Sequence, residues 1–420
     1  MPVIQFAIAL SFLLISTTST DTLYLSLDEA LQLALKGSPG VVEGTASRVD
    51  AAVSLGRGVS NLLPTPSATL TSAKNELATA WKGDITITQV VFDPLVYAGL
   101  INGIINFCYH SLDAREKISR LVYDVTTDYF QLLKSQLLFA GAQKALAQAE
   151  ESQRLTAERF RLGQAAKIDL LRSQAFYSQA QLNLLSAEKA LTLAQSNLCA
   201  RLGISSRRPL RAKQELGQPA ELSVHDPDSL LLMMEKFNPG VRMLKDLKMV
   251  AAINLLASFA RILPGFNLYR SYQYSDTTFP RSYQHWQEKS TRVDGISLTF
   301  PIADIKTFIL NIGDALAGSR RARAALARAR LQLRAAAQGA ILGYEEARRR
   351  YEQAELNLEL NRELYELAAT QYRLGALSLS ELLEAEIGLT QAEATYLSAL
   401  CDTYIQSAEI AYLLGKTAWK

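Results

Sequence analysis

The sequence predicts an α+β membrane protein whose chain is two tandem copies of one unit, with four β-strands and long antiparallel helices in all. Three observations carry that expectation. Motifs recur in phase along the chain, the periodicity in each copy switches from helical to strictly alternating, and each copy then holds a proline-free helical run of about 70 residues. Four strands cannot close a barrel, because barrels need about eight or more. Three chains would supply twelve, so the expected assembly is a trimer with a 12-stranded β-barrel continued by an α-helical barrel.

The repeat is read directly. Ser38-Pro39-Gly40-Val41 recurs as Asn238-Pro239-Gly240-Val241, and Leu63-Pro64 as Leu263-Pro264. Arg161-Leu162-Gly163 recurs as Arg373-Leu374-Gly375, a larger shift of 212 (375 − 163), and Leu202-Gly203 recurs as Leu414-Gly415 at that same shift. The shift changes between Pro64 and Asp93, so the second copy carries its extra residues in one place, as a lengthened surface loop would. The copies span 21–210 and 211–420. Residues 1–20 read as a secretory signal peptide, apolar from Val3 to Ile15 apart from Gln5 and Ser11 and small-polar from Ser16 to Thr20, although no Lys or Arg precedes the apolar core.

Each copy opens with a short capped helix, through the box Ser26-Leu27-Asp28-Glu29 and through Asp226-Pro227. Pro39 and Pro239 stop that helix and start a second. Strand pairs follow at 62–93 and 262–304. Asp84 to Thr88 and Ile296 to Phe300 alternate strictly, placing Ile85, Ile87, Ile296, Leu298 and Phe300 toward lipid and Thr86, Thr88, Ser297 and Thr299 toward a lumen. In the third candidate Phe266, Leu268, Tyr272 and Tyr274 share one face. The helical run from Pro94 to Gly163 is a rod of roughly 105 Å, and the second runs from about Ile305 to Gly375. Both turn at a glycine suited to the position after a helix C-cap, near 163 and 375, and return through helices of about 36 residues.

Composition argues against chemistry. Lys and Arg number 44 against 41 Asp and Glu, a net charge of +3, which gives no basic field for nucleic acid. Cys108, Cys199 and Cys401 and the three histidines are scattered, with no metal-ligand spacing and no nucleotide loop. No catalytic residue, metal ligand or cofactor is expected. The cysteines read as small apolar helix residues.

The duplicated order of motifs resembles the TolC-type outer-membrane efflux proteins. The most specific features are Arg159-Phe160-Arg161-Leu162-Gly163 with Asp169-Leu170-Leu171, matched by Gln371-Tyr372-Arg373-Leu374-Gly375 with Glu381-Leu382-Leu383. The resemblance spans nearly the whole chain after the leader. It implies a homotrimer in the outer membrane, with an α-barrel in the periplasm that docks on an inner-membrane transporter through a periplasmic membrane-fusion adaptor. The implied function is the exit duct of a tripartite efflux or type I secretion system. The alternative is a periplasmic coiled-coil adaptor or an envelope structural protein, which would have one hairpin rather than two in tandem. Two features depart from the family pattern: no Gly-Gly follows Asp93 or Asp304, and Leu95 to Phe107 is unusually apolar.

Candidate sites lie at the two turns. Arg161, Leu162, Gly163, Arg373, Leu374 and Gly375 read as helix caps, and the resemblance adds adaptor contact. Glu381 and Glu384 are three residues apart and share one helix face, which in a trimer makes rings of carboxylates, a cation-selective device. The competing reading has Glu381 completing a capping box with Ser378. The resemblance makes these acids a periplasmic gate and links Asp169 with Tyr372 in a latch. A basic latch partner is missing at Leu377, and Lys167 is the candidate substitute.

Overall fold

The computed structural model describes residues 23–74, 79–204, 209–213, 226–300 and 305–415; the leader read at 1–20 lies outside them. The first copy contains β1 (Leu23–Leu25), α1 (Leu27–Gly37), α2 (Pro39–Ser60), β2 (Thr65–Lys74), β3 (Thr79–Phe92), α3 (Pro94–Arg161) and α4 (Lys167–Leu202). After β4 (Leu210–Ala212) come α5 (Pro227–Phe237), α6 (Pro239–Ala260), β5 (Gly265–Asp276), α7 (Tyr283–Lys289), β6 (Ser290–Thr299), α8 (Ile305–Arg373) and α9 (Leu379–Leu413). The 68 and 69 residues of α3 and α8 make each roughly 100 Å long.

Local chemistry explains the element ends. Ser26 accepts from the Glu29 amide while Glu29 accepts from the Ser26 amide, so α1 starts on a complete capping box. Asp226 caps α5 through Ser229, and Asn238 caps α6 through Val241. Pro39, Pro94, Pro227 and Pro239 each sit at a first helical position, where the missing N–H costs nothing.

The main sheet is antiparallel in the order β2-β3-β5-β6. Its register puts Ala68, Ile85, Tyr272 and Arg292 on one face, and Ser67, Thr86, Ser271 and Val293 on the other. The faces differ in polarity, apart from the charged trio Arg270, Arg292 and Asp294 on the apolar one. Leu70, Ile87, Leu268, Phe266, Ile296 and Leu298 share the apolar side, whereas Thr69, Thr88, Asn267, Gln273 and Ser297 share the polar side. The outer edges are open, and every residue of β2 is exposed in the protomer. The extra residues of the second copy fall between β5 and β6, where α7 stacks Trp286 on Tyr274 at 4.9 Å.

Below the sheet the helices stand side by side in the same lateral order. α2 packs on α3, α3 on α6 and α6 on α8, while farther down the order is α4, α3, α9, α8. The shorter helices therefore stack end to end beside the two long ones, as their lengths require. One core joins α1, α3, α4 and α9 through Leu121, Val125, Leu132, Leu198, Cys199 and Cys401. A second joins α5, α6 and α8 through Leu230, Met234, Leu333 and Tyr344.

Sequence periodicity missed one feature, because three-residue strands carry no readable alternation. β1 and β4 pair in parallel, Tyr24 opposite Arg211. The buried Tyr129 hydroxyl donates to the Lys213 carbonyl at 2.9 Å and to the Leu25 carbonyl at 3.3 Å, pinning this two-stranded clasp to α3.

Candidate functional site: the hairpin tips and the helix wall above them

Both tips have the same backbone. Gly163 and Gly375 adopt φ of 72° and 76°, a region that only glycine enters without penalty. Gln164 N–H donates to Arg159 O, and Gly163 N–H to Phe160 O. In the second copy Ala376 and Gly375 donate to Gln371 and Tyr372 in the same pattern, closing each long helix with a Schellman turn. The turn leaves Leu162 and Leu374 at 72% and 79% exposure, with exposed Arg161 and Arg373 beside them. Each tip is thus a solvent-facing Arg-Leu-Gly unit that satisfies its own backbone and leaves its leucine exposed, while Arg373 Nε donates back to the Ala369 carbonyl at 3.2 Å.

Past the turns the copies diverge. Ser378 caps α9 in a capping box with Glu381, and the hydrogen bonds from the Ser378 hydroxyl and amide hold the Glu381 carboxyl below its ordinary pKa. Ala166 caps α4 without any side-chain bond. Glu384 is exposed on the same stretch of α9 as exposed Glu381. Asp169 is half-buried and makes no side-chain bond within the described residues, and exposed Lys167 makes none either.

The structure does not join Asp169 to Tyr372. The tyrosine is held instead by Arg159, whose Nη1 donates to the hydroxyl at 2.6 Å and whose guanidinium lies 4.8 Å from the ring centroid. This contact ties α3 to α8 one turn above both glycines. Arg159 belongs to the Arg159–Gly163 tip motif, but a pairing 213 residues apart (372 − 159) has no local signature.

Sequence reasoning also missed Glu386. It sits on α9, 5% exposed, with Oε1 lacking any partner, and burial pushes its carboxyl up to about 7. Tyr365 of α8 is in electrostatic contact with it, and Gln148 of α3 donates to the Tyr365 hydroxyl. Among the described residues no group of three or more His, Cys, Asp or Glu stands together to hold a metal ion.

Residues 252–416 match the model of the outer membrane efflux protein family. That match lies wholly within the second repeat. The first repeat shares its architecture, and the whole chain has the fold of the outer-membrane efflux channels. It is similar to the CmeC outer membrane channel of Campylobacter jejuni, with a TM-score of 0.82 and 17% identity over 93% of this chain and 85% of that one. The open-state MtrE outer membrane channel of Neisseria gonorrhoeae superposes with a TM-score of 0.77 at 18% identity, over 93% and 89% of the two chains. The outer membrane protein VceC of Vibrio cholerae gives 0.78 at 14% identity, over 93% and 96%. No curated protein sequence matches.

Proposed function

We propose that the chain is the exit duct of a tripartite efflux or type I secretion system, carrying substrates from an inner-membrane pump across the periplasm and outer membrane. The observation that carries this reading is the sheet. It has one apolar face, one polar face and two unpaired edges, and it runs into a helix wall with the same lateral order. Open edges are not tolerated in lipid. Pairing β6 of one protomer with β2 of the next removes them, and three copies close twelve strands around a polar lumen.

The periplasmic end follows from the tips. Arg161-Leu162-Gly163 and Arg373-Leu374-Gly375 supply six exposed apolar-basic turns per trimer as contacts for a periplasmic adaptor. Glu381 and Glu384 would ring the aperture with carboxylates, with Tyr372 on the same hairpin and Asp169 on the neighbouring one as further members of the gate. The capping box fixes where Glu381 stands, so cap and gate are compatible roles. A periplasmic adaptor is disfavoured, since it has no use for a four-stranded sheet with a lipid-type face.

Reconstitution of the purified protein in planar bilayers tests this. The expected result is a cation-selective conductance from trimers, blocked by multivalent cations and relieved of that block in E381A/E384A. A monomeric protein without conductance would reject the duct, and unchanged block in the double variant would reject the acidic gate.

A further inference from the structure

The geometry points to a lipid-immersed collar on the helices: the outer wall of α3 and α6 directly below the strands contacts inner-leaflet acyl chains. This inference rests on the outer-membrane reading above.

It begins with an anomaly on the apolar face of the sheet. Arg270 donates to Asp294 at 2.6 Å and Arg292 to the same carboxylate at 2.5 Å, with all three side chains about half exposed. The register places the trio level with Ile87 and Ile85, halfway up the strands and on the side that faces lipid. Exposed guanidinium groups at a bilayer midplane are strongly disfavoured, whereas at the interface they cost little. The trio therefore marks the outer headgroup level, and the apolar band must extend farther toward the periplasm.

The helices supply the missing height. From Pro94 to Tyr109 α3 has no charged side chain, and from Met249 to Ala260 α6 has none. Among the described residues only α3 contains a stretch long and apolar enough to cross a membrane, and little of that stretch is buried. The Asn102 amide donates to Asn254 at 2.7 Å, which marks the polar side of the α3–α6 contact. On the opposite side α3 exposes Tyr97, Ile101 and Ile104, and α6 exposes Met249, Leu256 and Phe259.

This surface continues the lipid face. Tyr97 packs against Phe92 at 6.0 Å between ring centroids, and Phe92 pairs with Phe266 on the apolar side of the sheet. A neighbouring protomer cannot cover the stripe, because α2 and α8 of the same chain already flank α3 and α6. Exposed Lys248 closes the stripe below on α6, as a lysine at a headgroup boundary does. The heights agree. Five strand steps from Arg270 to Gly265, projected through the ~40° strand tilt of a barrel, give about 12 Å, and ten helical steps from Pro94 to Ile104 about 15 Å, together near the ~25 Å apolar band of an outer-membrane barrel.

Fluorophores on single cysteines test the collar in full-length trimers, in vesicles of lipids brominated along the acyl chains. In a Cys108→Ser background, labels at Ile101→Cys and at Leu268→Cys on the sheet should be quenched alike, several-fold more than at Asn106→Cys. Quenching at Leu268→Cys but not at Ile101→Cys overturns the collar and leaves the duct; quenching at neither overturns the membrane reading itself. An Ile101→Cys label shielded only after a periplasmic protein is added would assign the stripe to that partner and sink the proposal. Native Cys108, exposed at the foot of the stripe, needs no structural change: its label should respond to headgroup quenchers more than to deep ones, and a purely aqueous response overturns the collar.

Discussion

Arg159 and Tyr372, on different repeats, hold the two long helices together one turn above their tips, through a hydrogen bond of 2.6 Å and a cation–π contact of 4.8 Å. A contact of this kind contributes about 1 kcal/mol, enough to move a two-state aperture roughly fivefold. R159A should therefore raise the open fraction in planar bilayers about that much. R159K, which retains charge but not the planar fork, should fall between. Equal conductance in all three proteins would remove the pair from the closing contacts.

Glu386 predicts a pH dependence with an unusual sign. Its packed-state pKa of about 7 lies above the ordinary 4.5, so the packed state binds more protons than an open, hydrated one. The stabilisation is complete below about pH 4.5 and is lost as pH rises through 7, with an upper bound of ~3 kcal/mol. The capped acids Glu29, Asp226 and Glu381 have lowered pKa values, and their contribution is lost only at more acid pH. Melting of the wild-type trimer should accordingly occur at a higher temperature at pH 5 than at pH 8. E386Q should flatten that difference, and a slope that survives the substitution would place its origin elsewhere.

Among the described residues, the four left-handed glycines divide by surroundings. A Cβ at Gly375 meets nothing within 4 Å, whereas one at Gly415 would lie 2.8 Å from Pro239 Cδ and 3.0 Å from Phe237 O. G375A should cost ~1 kcal/mol of backbone strain alone, and G415A distinctly more. Denaturation midpoints of the two variants check the order. Export in cells should be the more sensitive to bulk at Gly375, with trimers still present in the outer membrane.

Leu298 lies on the lipid side beside Phe266, near the periplasmic end of the strands, and Ser297 faces the lumen. With the bilayer lowered to the helices, Leu298 falls near mid-depth. L298R should then cost ~2–4 kcal/mol of assembly and S297R much less. Similar trimer yields from the two would reject this depth.

The repeat, the strand faces and the helix lengths were legible because each rests on local periodicity: alternation at Asp84–Thr88, the Schellman glycines, the prolines at helix starts. Arg270 was harder to see. It shares a face with Leu268 and Tyr272, but only its pairing with Asp294 on another strand explains how a charge sits there. The clasp at Leu23–Leu25, the Arg159–Tyr372 contact and the buried Glu386 are all products of long-range packing, which a single sequence does not write down. The unusual apolarity of Leu95 to Phe107 was visible from the start, yet acquired meaning only once the helix faces were known.

The unequal caps of the two tips have a mechanical consequence. Ser378 and Glu381 lock the return helix of one hairpin, while Ala166 leaves the other without a side-chain cap, a difference of about 1 kcal/mol between the two helix starts. Around a closed ring of three chains, stiff and compliant staves then alternate. Fraying, and with it any widening of the mouth, would begin at every second stave, so the aperture would dilate with threefold rather than sixfold character.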